Sequence, residues 1–381
     1  MTTHQVLGLV IKTLSGFFAV LLVASCAITA PTKTMIDCPL RDEAYSVDTP
    51  MMDLMLNPAV AKRLQAELPS VMQNIPSMFL DSEAPSLSAI MTLRGSADLL
   101  RMPMDEATAS RLNQTLALVP VTDDDKKARC ARYDNEPLES TLIDADKQIL
   151  IFDKFNGYGH ESTQITTDAI KTISSRLGWA VTVTHNGGAF TPETLKQFDV
   201  VVWNNVSGDV LTLSQRKAFE RYINTGGGFL GIHGAGGDFM YLWDWYLNEL
   251  LGAQFIGHTM NPHYQEATVN MKLSPSKIDN GLARQWSIRD EWYSFKDNPR
   301  DKGFDIIASV DENSYLPEMS GISLRMGDDH PIAWSRCVGK GRSFYSVLGH
   351  LPEVYQNEQN LLLLENALVW TASQSNTGCV K

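Results

Sequence analysis

The side chains best suited to acid–base or metal chemistry at neutral pH gather in the C-terminal two-thirds of this sequence. His160, His185, His233, His258, His263, His330 and His350 all follow position 147, leaving only His4 elsewhere. Imidazole titrates near neutrality and is a common metal ligand. His233 stands in Gly231-Ile232-His233-Gly234-Ala235, a strand-to-turn sequence with small residues on both sides. Such an elbow exposes a side chain at a sheet edge, and glycine permits the tight turn. Neither Ser nor Cys holds the position, which argues against an acyl-enzyme. A general acid or base, a metal ligand, a substrate hydrogen bond and a satisfied turn histidine remain open. Asp290-Glu291-Trp292-Tyr293 sets two carboxylates before aromatics, a mixture found in sugar sites and in plain cores alike. His258 and His263 share a Gly/Pro-containing loop and form no helix-face pair. His185, beside Asn186-Gly187-Gly188, reads as an ordinary turn.

These residues need a scaffold. From Lys147 the texture alternates between short apolar runs and helical periodicity. Strands are expected at Gln148 to Asp153, Ala180 to Thr184, Val200 to Val206 and Phe229 to Ile232. Helices are expected at Thr163 to Leu177, from Thr191-Pro192, and at Ser214 to Ile223. Alternation of this kind implies right-handed crossovers and a mainly parallel sheet, and apolar runs without alternation fit strands covered on both faces. Further strands are expected at Ala267 to Met271, Glu291 to Phe295 and Ile306 to Val310. Ile332 to Val338 and Ser343 to Leu348 flank the hairpin signal Gly339-Lys340-Gly341-Arg342, and a helix near Glu358 to Thr371 closes the domain. Ligands of open α/β sheets bind outside the carboxyl ends of the strands. The polar loops holding His160, then Asn205 and Asp209, then His233 and Asp238 therefore fall on one rim. The hairpin places His330 and His350 at one end as expected neighbours. No G-x-G-x-x-G follows a strand, so a dinucleotide cofactor is not expected.

The N-terminal third differs. Leu14 to Ala24 is an apolar run too short to span a bilayer, and Val23-Ala24-Ser25-Cys26 looks like a bacterial lipobox. The expectation is a signal peptide over 1–25, lipidation of Cys26 and a tether over 26–46. The product would be exported and held by its lipid on the periplasmic side of the outer membrane in a Gram-negative cell. Asn57-Pro58 reads as a helix start, with Val60, Leu64 and Leu68 on one face. Further helical runs at Ser86 to Arg94 and Asp105 to Leu118 complete a module over 47–120, read as a spacer or docking surface without chemistry. The charged stretch 121–146 reads as a solvated linker, 147–373 as the α/β domain and 374–381 as a tail. Thirty-two basic against forty-four acidic residues give a formal net charge of −12, and no basic cluster suggests nucleic acid. Cys38, Cys130, Cys337 and Cys379 allow three pairings; a Cys38–Cys130 bridge and free buried thiols are both open.

Several segments in one colinear order resemble the ThuA (trehalose-utilisation) family. They include His160-Glu161-Ser162, Asn205 to Leu211, Gly226 to His233, Phe255 to His258, Gln265 to Val269, Asp290 to Tyr293, Asp329 to Trp334 and Gly341 to His350. The resemblance covers about 147 to 372. It implies a flavodoxin-like, class I glutamine-amidotransferase-like three-layer α/β sandwich without the amidotransferase cysteine, and a link to disaccharide or keto-sugar catabolism. Ser274-Pro275 stands where many members have His-Pro, and Gly234-Ala235-Gly236-Gly237 departs from the family's more usual loop.

The combined expectation is a site acting on a disaccharide, glycoside or 3-keto-glycoside, with His233 and Glu291 as the acid/base pair. His160, Asn205, Asp209, Asp238, Trp292, His330 and His350 would bind substrate. His160, His258 and His350 would suit a divalent metal such as zinc. The alternative is a non-catalytic carbohydrate-binding lipoprotein.

Overall fold

A computed structural model describes residues 35–139 and 142–373. The expected signal peptide, the lipobox with Cys26, Cys379 and the tail lie outside the described residues.

Among the described residues, six short helices precede the sheet: α1 (Met51–Met55), α2 (Pro58–Glu67), α3 (Pro69–Asn74), α4 (Leu93–Leu99), α5 (Glu106–Leu116) and α6 (Asp123–Cys130). Their starts follow local capping chemistry. The Asn57 side chain accepts from the Ala59 and Val60 amides ahead of α2, and Asp105 accepts from Thr108 ahead of α5. Val60 and Leu64 are buried as their spacing implied, but α2 ends before Leu68 because Pro69 opens α3. The single helix expected over Ser86 to Arg94 is instead a 3-10 turn (Leu87–Ile90) and then α4, which Thr92 caps anew.

The linker expected over 121–146 is corrected in part. Thr122 and Asp125 form a reciprocal capping box that starts α6 within the charged run. The tether is corrected too: within it, Cys38 and Tyr45 are buried. Cys38 is bridged to Cys130. The Arg129 guanidinium donates to the Leu40 and Glu43 carbonyls at 2.6 and 2.7 Å and lies 4.2 Å over the Tyr45 ring. Such bridges persist in oxidising compartments. Cys337 is also a disulfide cysteine.

The remainder is a three-layer α/β fold. Its elements are β1 (Gln148–Phe152), α7 (Thr163–Arg176), β2 (Ala180–Thr184), α8 (Pro192–Leu195), β3 (Val200–Asn204), α9 (Leu213–Asn224) and β4 (Gly228–Ile232). Then come β5 (Phe255–His258), β6 (Tyr264–Met271), β7 (Gln285–Glu291), β8 (Tyr293–Phe295), β9 (Asp305–Val310), β10 (Glu318–Met319), β11 (Ile322–Ser323), β12 (His330–Val338), β13 (Gly341–Ser346) and α10 (Glu358–Thr371). The nine-stranded sheet runs β2-β1-β3-β4-β13-β12-β9-β6-β7. From β2 to β13 neighbours are parallel, and from β13 onward they are antiparallel. β3 and β4 are buried along their whole length, as strands covered on both faces must be.

One strand expectation changes. The run expected from Glu291 to Phe295 breaks at Trp292: β7 ends at Glu291, and β8 leaves the main sheet to pair with β5. Strand order reverses between β1 and β3, the switch point beside which doubly wound folds bind ligands. From Ile36 onward the described chain is one compact unit, so the helical region and the sheet share their packing.

Candidate active site

His233 lies at the carboxyl end of β4 with φ +44°, an uncommon conformation for a residue with a side chain. Backbone strain of this kind persists where surrounding structure over-determines it, often at functional sites. Here the fixing groups are visible. Gly234 N–H donates to Asn205 Oδ1 at 3.2 Å, and Tyr345 Oη donates to the His233 carbonyl at 2.7 Å. Gly234 has no room for a side chain, because a Cβ there would sit 2.8 Å from His160 Cε1.

The His233 tautomer follows from its partners. Nδ1 lies 2.6 Å from the Val347 carbonyl, which can only accept, so Nδ1 carries the hydrogen. In the neutral ring Nε2 is then a bare acceptor facing the site. The Tyr293 hydroxyl donates to it at 2.9 Å; His350 Nδ1 is 3.1 Å away and Glu291 Oε2 3.4 Å.

Glu291 is the hub. Its Oε2 is 3.2 Å from His350 Nδ1, its Oε1 is 3.2 Å from His258 Nδ1, and His263 Nε2 bonds the same Oε1. Burial opposes its ionisation, but the imidazoles of His233, His263 and His350 around it outweigh that and hold the carboxyl well below its usual range. Burial works against charge on His350, yet its Glu291 partner raises its pKa. His160 is nearly buried among His233 and His350, with ring centroids 4.7 and 5.1 Å away. Desolvation, then the neighbouring imidazoles, lower its pKa well below the ordinary value, which keeps it neutral. Its buried Nδ1 has no hydrogen-bond partner.

Elements behind the cluster aim it. Asp290 accepts from the amides of Gly349 at 2.7 Å and Leu351 at 3.1 Å, fixing the loop on both sides of His350. Tyr264, at the start of β6 and in register with Glu291, places its hydroxyl 3.0 Å from His350 Nε2. Asp238 faces the same cavity while accepting from Ser207 Oγ at 2.7 Å and Gly208 N–H at 2.6 Å; burial raises its carboxyl to about 7.

The structure thus gathers His160, His233, His258, Glu291 and His350, with Asp238 on the wall of their cavity. Other expected members are corrected. Asn205 is buried and holds Gly234, so it positions the elbow. Asp209 is turned away, ion-paired to Arg216 and accepting from Tyr133 Oη at 2.9 Å. Trp292 is wholly buried, its indole donating to the Gln265 carbonyl at 2.8 Å. His330 is not in the cluster with His350: its Nδ1 meets Glu312 at 2.9 Å and its Nε2 the Tyr293 carbonyl at 2.8 Å. It supports the Tyr293 backbone from behind.

The expected metal set His160, His258 and His350 is also regrouped. Side-chain donors that come within 4.8 Å of one another form two triads, His160/His233/His350 and His258/His263/Glu291. The first offers three imidazole nitrogens and the second two imidazole nitrogens and a carboxylate oxygen, donors that zinc accepts. His185 is exposed, beside Asp153 and away from the cluster.

His263, Tyr264 and Tyr293 were not assigned roles from sequence. Alternation along a strand was the available signal for Tyr293. If Glu291 faces the site, Tyr293 does too, while Asp290 and Trp292 point away. His263 depended on the β6–β7 register, which no local pattern reveals.

A family model described as ThuA, trehalose utilisation, matches residues 148–371. The chain belongs to the ThuA family. Among solved structures, a putative ThuA-like protein from Bacteroides uniformis is 24% identical with a TM-score of 0.52, covering 64% of this chain and 98% of its own. A second, from Parabacteroides merdae, is 18% identical with a TM-score of 0.47, covering 62% and 92% respectively. No curated protein matches. The ThuA domain contributes every histidine of the cluster, and the helices before it fall outside the matched residues.

The cluster opens into a cavity of about 710 Å³, in the size range of pockets that hold small organic ligands.

Proposed function

We propose that this ThuA-family protein processes a glycoside or keto-glycoside by acid–base chemistry. The observation that carries the reading is His233: a strained elbow residue with a fixed tautomer, its bare Nε2 facing Tyr293, His350 and Glu291. On a 3-keto-glycoside, Nε2 would take the proton from C2, which the neighbouring ketone acidifies. The electron pair forms the C1–C2 double bond as the C1–O bond breaks, and the leaving oxygen receives a proton from the His350 imidazolium. Glu291 stabilises that imidazolium in the resting site, and Tyr293 is placed to donate to an oxygen that gains charge. The second triad, His258, His263 and Glu291, would also suit a divalent cation, which would polarise the ketone.

Turnover of 3-keto-glycosides tests this reading. Wild type should release aglycone, and His233→Ala should lower kcat by about 10²–10⁴-fold, the usual contribution of a positioned acid or base. Unchanged turnover in His233→Ala would remove the proposal. Loss of activity on chelation, restored by zinc, would assign the ketone to a metal; indifference to chelator would leave it to side chains. Sugar binding without turnover in wild type would instead support a carbohydrate-binding protein.

A further inference from the structure

The histidine cluster shares its cavity with residues from a different part of the chain. Phe79, Met78, Leu87, Ile90, Leu99 and Leu100, all from the helical region before the ThuA domain, form an apolar part of its wall. Met260 and Met319 add to the apolar lining, with Arg101 also on it. This wall is joined to the site. Ser86 N–H donates to the Asn156 carbonyl at 2.9 Å, and a Cβ at Gly157 would meet the Ile90 side chain at 2.6 Å. Both contacts fall on the loop that leads into His160.

A bare disaccharide does not explain such a wall. Sugar hydroxyls need polar partners, and sugar rings pack best against flat aromatic faces. Leucine, isoleucine and the adaptable thioether of methionine suit an irregular apolar group. Met78 keeps 52% of its surface exposed. The cavity also exceeds what one hexose needs, so a substrate reaching Glu291 with its sugar leaves its aglycone beside this wall.

We infer that the helical region is the aglycone wall of the site, and that the substrate is a glycoside bearing an apolar, aryl or similarly bulky aglycone. The inference rests on the glycoside reading above but is tested by binding, which needs no turnover. Calorimetry on the full mature chain would compare phenyl glucoside with methyl glucoside. Phenyl glucoside should bind about tenfold or more tightly, as burial of roughly one ring face implies. Met78→Ser and Leu100→Ser should erase most of that preference while leaving methyl glucoside affinity unchanged. Both side chains are partly exposed, and a circular-dichroism melt matching wild type confirms that each variant folds. Equal affinities for the two glucosides would overturn the inference even if keto-glycosides are turned over. So would a preference that survives both substitutions, or a dimer in wild type that Met78→Ser dissociates, since the wall would then belong to a second copy. Preferential phenyl binding without turnover would sustain the wall and sink the catalytic reading.

Discussion

At the scale of single residues, chemistry was more legible than orientation. His160, His233, His258, Glu291 and His350 could be named because imidazole and carboxylate beside glycine turns at strand ends have few other uses. Asp209 and His330 have the same chemistry, yet each spends it on a structural partner, Arg216 in one case and Glu312 in the other. No local pattern distinguishes a carboxylate that will find an arginine from one that will meet substrate. Asp238 yields a test of its own. Burial raises its carboxyl from 3.8 to about 7. Between those values the folded protein holds a proton that the unfolded chain has released. Stability therefore falls as pH rises through this window, by on the order of 1 kcal/mol per pH unit, and levels off above it. Asp238→Asn should remove that contribution. Urea midpoints of wild type and variant, measured from pH 4 to 8, should converge toward acid and diverge toward neutrality; parallel curves would refute the assignment.

At the scale of elements, the strands and helices of the ThuA domain were readable because buried parallel strands are continuous apolar runs, and β3 and β4 are such runs. The break at Trp292 was not, since it is imposed by β8 pairing with β5. Helix α6 was readable in principle: Thr122 followed three residues later by Asp125 is a capping signal, which the surrounding charge obscured. The elbow after β4 depends on its neighbour in a way that can be tested. A methyl at position 234 would collide with the His160 ring, which is wedged against His233 and His350. Gly234→Ala should displace His160 and cost about 1–3 kcal/mol by overpacking. Keto-glycoside turnover should fall at least tenfold, while methyl glucoside affinity should change less. A Gly234→Ala protein with native turnover would show that His160 does not need its present position.

At the scale of the molecule, the helical region and the ThuA domain were expected as separate pieces joined by a linker. Amphipathic spacing shows that a helix has an inner face but not what that face meets, and here part of it meets the active-site rim. The joint between them is polar and buried. Asp53, on α1, is fully buried against Arg132, whose Nη1 and Nη2 donate to it at 2.5 and 3.1 Å, and Tyr133 next to it reaches Asp209 in the ThuA domain. Removing one partner of a buried pair strands the other charge, so Asp53→Asn should cost about 3–5 kcal/mol. The informative question is where that loss appears. All eight tryptophans lie after position 147, so their fluorescence reports the ThuA domain alone. Proteolysis at the exposed 81–85 segment reports the helical region. If the two parts form one cooperative unit, Asp53→Asn lowers the denaturant midpoint of both signals together, although no tryptophan lies in the helical region. A substitution that exposes the helical region to protease while the tryptophan transition stays in place would separate the two. The aglycone wall would then be able to leave the catalytic cluster while the sheet remained folded.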